Sequence, residues 1–318
     1  MNQTGPHFRL RSLYRQSMPG SHVNEDGAGL HGRFAWVIDG ATGIANRQAT
    51  SGATDAAWLA DTLDRTLAGL APAVESGRLF KGLEASIRHA FDAESDHRSL
   101  PDDGHAPSAC LGFIWVRDGA VPGRVLLQGA FLGDVVALVP TAEGIVRWTD
   151  ERAKPFERRT LAALGDADRH TGAMPEAVRR QILENRTKLN HPDGYWVVNP
   201  RRSWAGREVR FEATIAPGQP IVLATDGFMR LVDVFAAYSK DSLHARLAAG
   251  EGDDLIRELR EREREDAPAY RYPRVKIHDD ATVQVVAAEP CGRSDSEGHP
   301  RRMPFGGRKG LQRRGSST

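Results

Sequence analysis

The sequence predicts an α+β layered domain, an antiparallel sheet with helices packed on its outside. Three observations lead there. Six apolar runs of four to seven residues are rich in β-branched side chains and bounded by Gly, Asp or Pro, as strands are. Several of them follow one another between residues 111 and 148 without an intervening helix, which excludes a strict strand–helix alternation. Helical stretches elsewhere carry apolar stripes at spacings of three and four.

In chain order, strands are expected at 34–38, 111–116, 125–131, 135–139, 221–224 and 282–286. Helices are expected near 48–68, 79–94 and 175–190, with two more between 240 and 266. The first places Ala56, Leu59, Ala60, Leu63 and Leu67 on one stripe. The run 257–265 alternates Arg and Glu at helical spacing and reads as a solvated helix face. Neither an internal repeat nor a Pro/Ser linker interrupts residues 1–289, so they are read as one domain.

Residues 290–318 hold seven cations against two anions. With a formal charge of +1 for the whole chain, that leaves −4 for residues 1–289. The segment is rich in Gly, Ser and Arg, and reads as a disordered, solvated tail. Binding of nucleic acid through Arg293 to Arg314 is the weaker alternative, because the body of the chain lacks a basic surplus.

Composition narrows the remaining classes. With 40% apolar and 27% charged residues among 318, the chain can bury a substantial core. Two cysteines, Cys110 and Cys291, support neither a disulfide framework nor a four-thiolate zinc site. The N-terminal residues lack the apolar segment of a secretory signal. The longest apolar stretch, 125–139, is cut by Gln128, Gly129, Gly133 and Asp134, short of the about 18 residues a membrane helix needs. A cytoplasmic protein without membrane contact is expected, and a monomer.

Among short motifs, GAGLHG at 27–32 matches a dinucleotide fingerprint by letter. It follows Asn-Glu-Asp and precedes an apolar run, the reverse of the strand–turn–helix context the fingerprint needs. It is read as a flexible turn. Phosphate-loop, nucleophile-elbow and zinc-protease motifs are missing.

The acids are more informative. Asp-Gly occurs six times and alone signals only turns. Asp39 and Asp226, however, each follow directly on a hydrophobic strand. Asp279-Asp280 directly precedes one, Asn24-Glu25-Asp26 lies a short hairpin before Asp39, and Asp134 falls at the bend between two apolar runs. Acids at strand ends can converge at one sheet edge, where mutual repulsion drives them toward protonation unless a cation joins them. Oxygen donors without His or Cys suit Mg²⁺ or Mn²⁺. Two such ions would acidify a water and orient a phosphate ester for in-line displacement.

Taken in order, Asn24-Glu25-Asp26, Val37-Ile38-Asp39-Gly40-Ala41-Thr42-Gly43, Leu132-Gly133-Asp134, Leu223-Ala224-Thr225-Asp226-Gly227-Phe228 and Asp279-Asp280-Ala281-Thr282-Val283 resemble the PP2C-type, metal-dependent protein phosphatases, bacterial-like members in particular. The resemblance runs from about residue 20 to 288, with 141–220 unmatched. It implies a β-sandwich of two antiparallel sheets flanked by helices in α-β-β-α layers. It also implies hydrolysis of phosphoserine and phosphothreonine in phosphorylated proteins by a metal-activated water, using two or three Mn²⁺ or Mg²⁺ ions. By position, Asp39 would bridge two metals, with Glu25 and the Gly40 carbonyl on one of them and Asp226 and Asp279 on the other. Asp134, with Asp226, would hold a third. Asp26 would orient water from behind the metals.

Departures accompany the match. Where the family carries a phosphate-gripping Arg, this chain has Ser21, and His22 or Arg15 are the nearby cations. A hydroxyl has neither the charge nor the fork of a guanidinium. Val135-Val136 replaces a polar pair after Asp134. The alternative is therefore a PP2C-like regulator that binds phosphoprotein or metal with poor turnover. Of the remaining residues, Tyr195 and Trp196 are expected in the core or at a substrate edge. Cys110 reads as a small buried hydrophobe and His278 as a turn residue beside Asp279.

Overall fold

The computed structural model describes residues 8–41, 48–70, 76–95, 106–165 and 174–291. Ten strands form two five-stranded sheets in which every pairing is antiparallel. One sheet runs β1 (Phe8–Met18), β10 (Ala281–Pro290), β9 (Ile221–Ala224), β6 (Val136–Thr141), β7 (Gly144–Trp148). The other runs β2 (Asp26–His31), β3 (Phe34–Ala41), β4 (Ser108–Asp118), β5 (Val125–Leu132), β8 (Val209–Ile215). The helices are α1 (Asp55–Ala68), α2 (Ser76–Glu94), α3 (Lys154–Ala162), α4 (Glu176–Thr187), α5 (Asp226–Asp233), α6 (Lys240–Ala248) and α7 (Gly252–Glu265).

Three cores make the layers. Ala35, Val37, Ile114 and Val116 meet Ala137, Val139, Leu223 and Val286 between the sheets. On the far face of the second sheet, Phe34, Trp36, Ile38 and Phe113 pack on Leu59, Leu63, Phe80 and Ile87 of α1 and α2. On the far face of the first, Val136, Leu138, Val222 and Val283 pack on Phe228, Leu231, Leu255 and Leu259 of α5 and α7. Central strands covered on both faces read as unbroken apolar runs instead of alternating ones, and 34–38 is such a run.

All six expected strands are present. β1, β2, β7 and β8 were not expected: β1, for example, carries polar residues on its exposed positions and lacks an apolar run. Two expectations need correction. The 27–32 segment is strand β2 through His31, not a flexible turn. Its Gly29 lies under the Trp36 ring, where an added Cβ would come within 2.2 Å of the indole. The first helix begins at Asp55, not near 48. Thr54 caps it by accepting from Ala57 N at 3.0 Å, and Asp55 folds the preceding loop onto itself by accepting from Thr50 N at 2.9 Å. Helices α3 and α5 are short additions. Residues 292–318, nearly all of the expected basic tail, lie outside the described residues, as do Thr42 and Gly43.

Candidate active site

Strand register brings the acids to one end of the sandwich. Asp26 and Asp39 are direct partners across the β2–β3 hairpin, and Asp39 stands opposite Cys110 at the start of β4. In the other sheet Ala224, the last residue of β9, lies between Val136 at the start of β6 and Val283 near the start of β10. Asp134 in the β5–β6 bend, Asp226 at the first turn of α5 and Asp279-Asp280 before β10 therefore share that end.

There Asp39, Asp134, Asp226, Asp279 and Asp280 line a cavity of about 680 Å³ with Glu25, Gly40 and Glu157, whereas Asp26 lines a separate pocket with Arg15. Close backbone approach shapes it. The Gly40 N–H donates to Glu25 O at 3.1 Å, and a Cβ on Gly40 would sit 2.5 Å from that oxygen. A Cβ on Gly227 would lie 1.9 Å from Asp280 O.

Neighbours orient each acid. Thr54, the α1 cap, donates through Oγ1 to Glu25 Oε1 at 2.6 Å. Asp280 accepts from Gly20 N and Glu25 N, both at 2.7 Å, and so ties the β1–β2 connection to the start of β10. Thr225 Oγ1 donates to Asp26 Oδ2 at 2.8 Å and accepts from Thr282 N at 3.0 Å. Asp279 accepts from Arg230 Nη2 at 2.7 Å and from Lys276 Nζ at 3.1 Å. Arg230 in turn donates to Glu263 Oε1 at 2.8 Å. Glu263 is fully buried and also accepts from Arg260 Nη1, while His278 Nδ1 lies 2.8 Å from it. The α7 charge run thus holds one charged residue that is not solvated at all, a correction to the expected exposed face. Buried charge is tolerated there because three basic side chains surround it.

Crowding of acids shows in their protonation. Burial, then Asp226, Asp26 and Asp134, holds Asp39 well above the usual carboxylate range. Burial, then Asp134 and Asp279, pushes Asp226 up to about 7, with Arg230 opposing. Burial and the charge of Glu157 push Asp134 to about 7. Burial also raises Asp26, against hydrogen bonds from Thr225 and Thr282. Asp39 and Asp226 are near neighbours, as are Asp134 and Glu157, and without a cation two adjoining carboxyls cannot both ionise at low cost.

Among the described residues no three His, Cys, Asp or Glu side chains stand as a ready metal-ligating group. The donor chemistry nevertheless fits a hard divalent cation. The convergent side-chain atoms are buried carboxylate oxygens whose mutual repulsion a cation would relieve.

Of the other residues considered in the sequence, Ser21, His22 and Tyr195 line the cavity. Arg15 does not; it lines a separate pocket behind Asp26 and donates to Ala28 O at 3.0 Å. Trp196 is in the core, under the Arg207 guanidinium. Cys110 packs half-buried against the core between the sheets and also reaches the cavity wall, and burial with Asp134 and Asp39 raises its thiol. His278 serves Glu263. Sequence reasoning missed Thr54, Glu157, Arg230 and Lys276. For Arg230 a signal existed: it lies four residues after Asp226, on the same helix face.

No protein-family model matches the chain, and no curated protein does. Solved structures do. The Mycobacterium tuberculosis serine/threonine phosphatase PstP/Ppp is 16% identical, with 88% of this chain and 98% of that chain covered and a TM-score of 0.48. The PstP catalytic domain in complex with two manganese ions is 14% identical over 88% and 99%, with a TM-score of 0.47. The PPM Ser-Thr phosphatase MsPP of Mycobacterium smegmatis, in complex with cacodylate, is 18% identical over 87% and 98%, with a TM-score of 0.47. No described helix is long and apolar enough to cross a membrane.

Proposed function

We propose that the chain is a metal-dependent phosphatase of phosphoserine and phosphothreonine in proteins. The observation that carries the reading is the meeting of Glu25, Asp39, Asp134, Asp226 and Asp279, drawn from five separate stretches of sequence, around one cavity. Acids so far apart in the chain do not converge for capping or turn formation, which are local needs.

The residues that would hold divalent ions are Asp39, Glu25, the Gly40 carbonyl, Asp226 and Asp279, with Asp134 for a further one. Two Mn²⁺ or Mg²⁺ ions held there would acidify a water and neutralise developing charge on a phosphate ester. The protein's own part is to hold the acids in place. Thr54 and the Gly40–Glu25 backbone contact fix Glu25, Arg230 fixes Asp279, and Thr225 fixes Asp26, whose carboxylate can then accept a hydrogen bond from water.

The test is hydrolysis of p-nitrophenyl phosphate and a phosphothreonine peptide with Mn²⁺ added. Activity should vanish with a chelator and fall at least about 100-fold in Asp226→Asn, in a protein that keeps its circular dichroism. A folded protein inert with Mn²⁺ and Mg²⁺ on both substrates would sink the enzyme reading.

One observation favours the weaker, regulatory alternative: both Asp279 oxygens are engaged by Arg230 and Lys276. On that reading phosphopeptide binds without turnover. Ser21→Arg separates the two, since Ser21 is exposed on the cavity wall. An added guanidinium should lower KM for the phosphopeptide; an inert variant that binds phosphopeptide as tightly as before speaks for the regulator.

A further inference from the structure

We propose that Lys276 grips the phosphoryl group of the substrate; the inference rests on the phosphatase reading above and deepens it. Charge is the starting point. Seven carboxylates line the cavity among the described residues. Even two divalent ions would leave such a wall negative, and a phosphate monoester brings a charge near −2 of its own. A positive group that reaches the open part of the cavity is needed to admit it.

The described cavity offers four basic side chains. The Arg186 residue is only 5% exposed, and its guanidinium donates to Ala106 O at 2.8 Å beneath the floor. His278 is engaged with Glu263. His22 is exposed, and an imidazole offers fewer hydrogen-bond donors than the three of an ammonium. Lys276 differs from all three. Its side chain is 59% exposed on the cavity wall, and its ammonium stands 3.1 Å from Asp279 Oδ1, at the edge of the acid cluster.

Its present contact leaves it available. An ammonium has three donors, and the contact to Asp279 Oδ1 at 3.1 Å takes one. Asp279 does not depend on that contact for its position, because Arg230 holds the other oxygen at 2.7 Å and is itself anchored on buried Glu263. The backbone beside Lys276 is fixed as well: Ile277 O accepts from Arg274 Nε at 3.2 Å and from Arg230 Nη1 at 3.3 Å. A firmly held main chain with a long, half-free cationic side chain on the cavity wall suits a group that meets an incoming anion. Ser21, on the same wall, offers only a hydroxyl turned toward Val23 O.

The experiment is calorimetric titration of inorganic phosphate into the full chain with Mg²⁺ present, for wild type, Lys276→Met and Lys276→Arg, beside Mn²⁺ titrations and melting curves. Loss of one charge-assisted contact should weaken phosphate binding about tenfold or more in Lys276→Met and much less in Lys276→Arg. Mn²⁺ affinity should hold or tighten, since Asp279 loses a competitor. KM for p-nitrophenyl phosphate should rise more than kcat falls. Unchanged phosphate affinity in a folded Lys276→Met protein would overturn the assignment. So would a parallel loss of Mn²⁺ affinity, which would make the lysine a support of the metal ligands instead. Lys276-dependent phosphate binding by a wild type that fails to hydrolyse esters would keep the assignment and remove only the phosphatase reading. A wild type that binds no phosphate would overturn both.

Discussion

Asp226 sits in the fold with a proton affinity near 7, against an ordinary value of 3.8. Burial and the neighbouring Asp134 and Asp279 charges make its ionised form costly at neutral pH, and each pK unit corresponds to about 1.4 kcal/mol. A residue under that strain earns its place by function. Asp226→Asn should therefore raise the melting temperature of the metal-free protein at pH 8 by several degrees while abolishing hydrolysis. A melting temperature that falls instead would show that the carboxylate is structural. Most of the acids involved were legible in the sequence, because an Asp directly after or before an apolar run marks a strand end. Glu157, Lys276 and Arg230 were not singled out. Apart from the four-residue spacing of Arg230 from Asp226, their roles come from where α3, α5 and the 266–280 segment pack, and no local pattern marks a side chain as facing a distant carboxylate.

At the scale of elements, α1 joins folding to the site. Thr54 accepts from Ala57 N as the helix cap and donates to Glu25 Oε1 through the same oxygen. Thr54→Ala should lower stability by about 1 kcal/mol through the lost cap and also weaken Mn²⁺ binding, whereas Thr54→Ser keeps both. A Thr54→Ala protein with full metal affinity would separate Glu25 from its proposed part. The helix start was misplaced in the sequence because residues 48–54 continue an Ala- and Gln-containing stretch; the loop is set by the Asp55 carboxylate folding back on Ala49 and Thr50. β2 was hidden for a related reason: Gly27 and Gly29 have turn composition, and only the Trp36 ring lying against Gly29 explains why small residues form a strand there. The apolar strands were legible because burial on both faces leaves unbroken hydrophobic runs.

For the whole molecule, the clustered acids make stability depend on pH. Between about pH 4 and 7 the folded chain holds protons on Asp226 and Asp134 that the unfolded chain, with values near 3.8, has released. Their contribution is complete below about pH 4, declines as pH rises through 7, and is flat above. Melting temperatures of the metal-free protein across that range should fall more steeply for the wild type than for Asp226→Asn, and saturating Mn²⁺ should lift the wild-type curve most above pH 7. Parallel curves would refute the coupling. By itself the sequence determined the layered α+β class, the central strands and an ordered set of acids at strand ends, because burial and chain reversal leave local marks in residue type. Only the tertiary structure decided that these acids share one end of the sandwich, which basic side chains hold them there, and that Lys276 stands beside Asp279 on the cavity wall. Those facts depend on how ten strands pair across the chain, and pairing is chosen by the packing of two sheets against each other, not by any one segment.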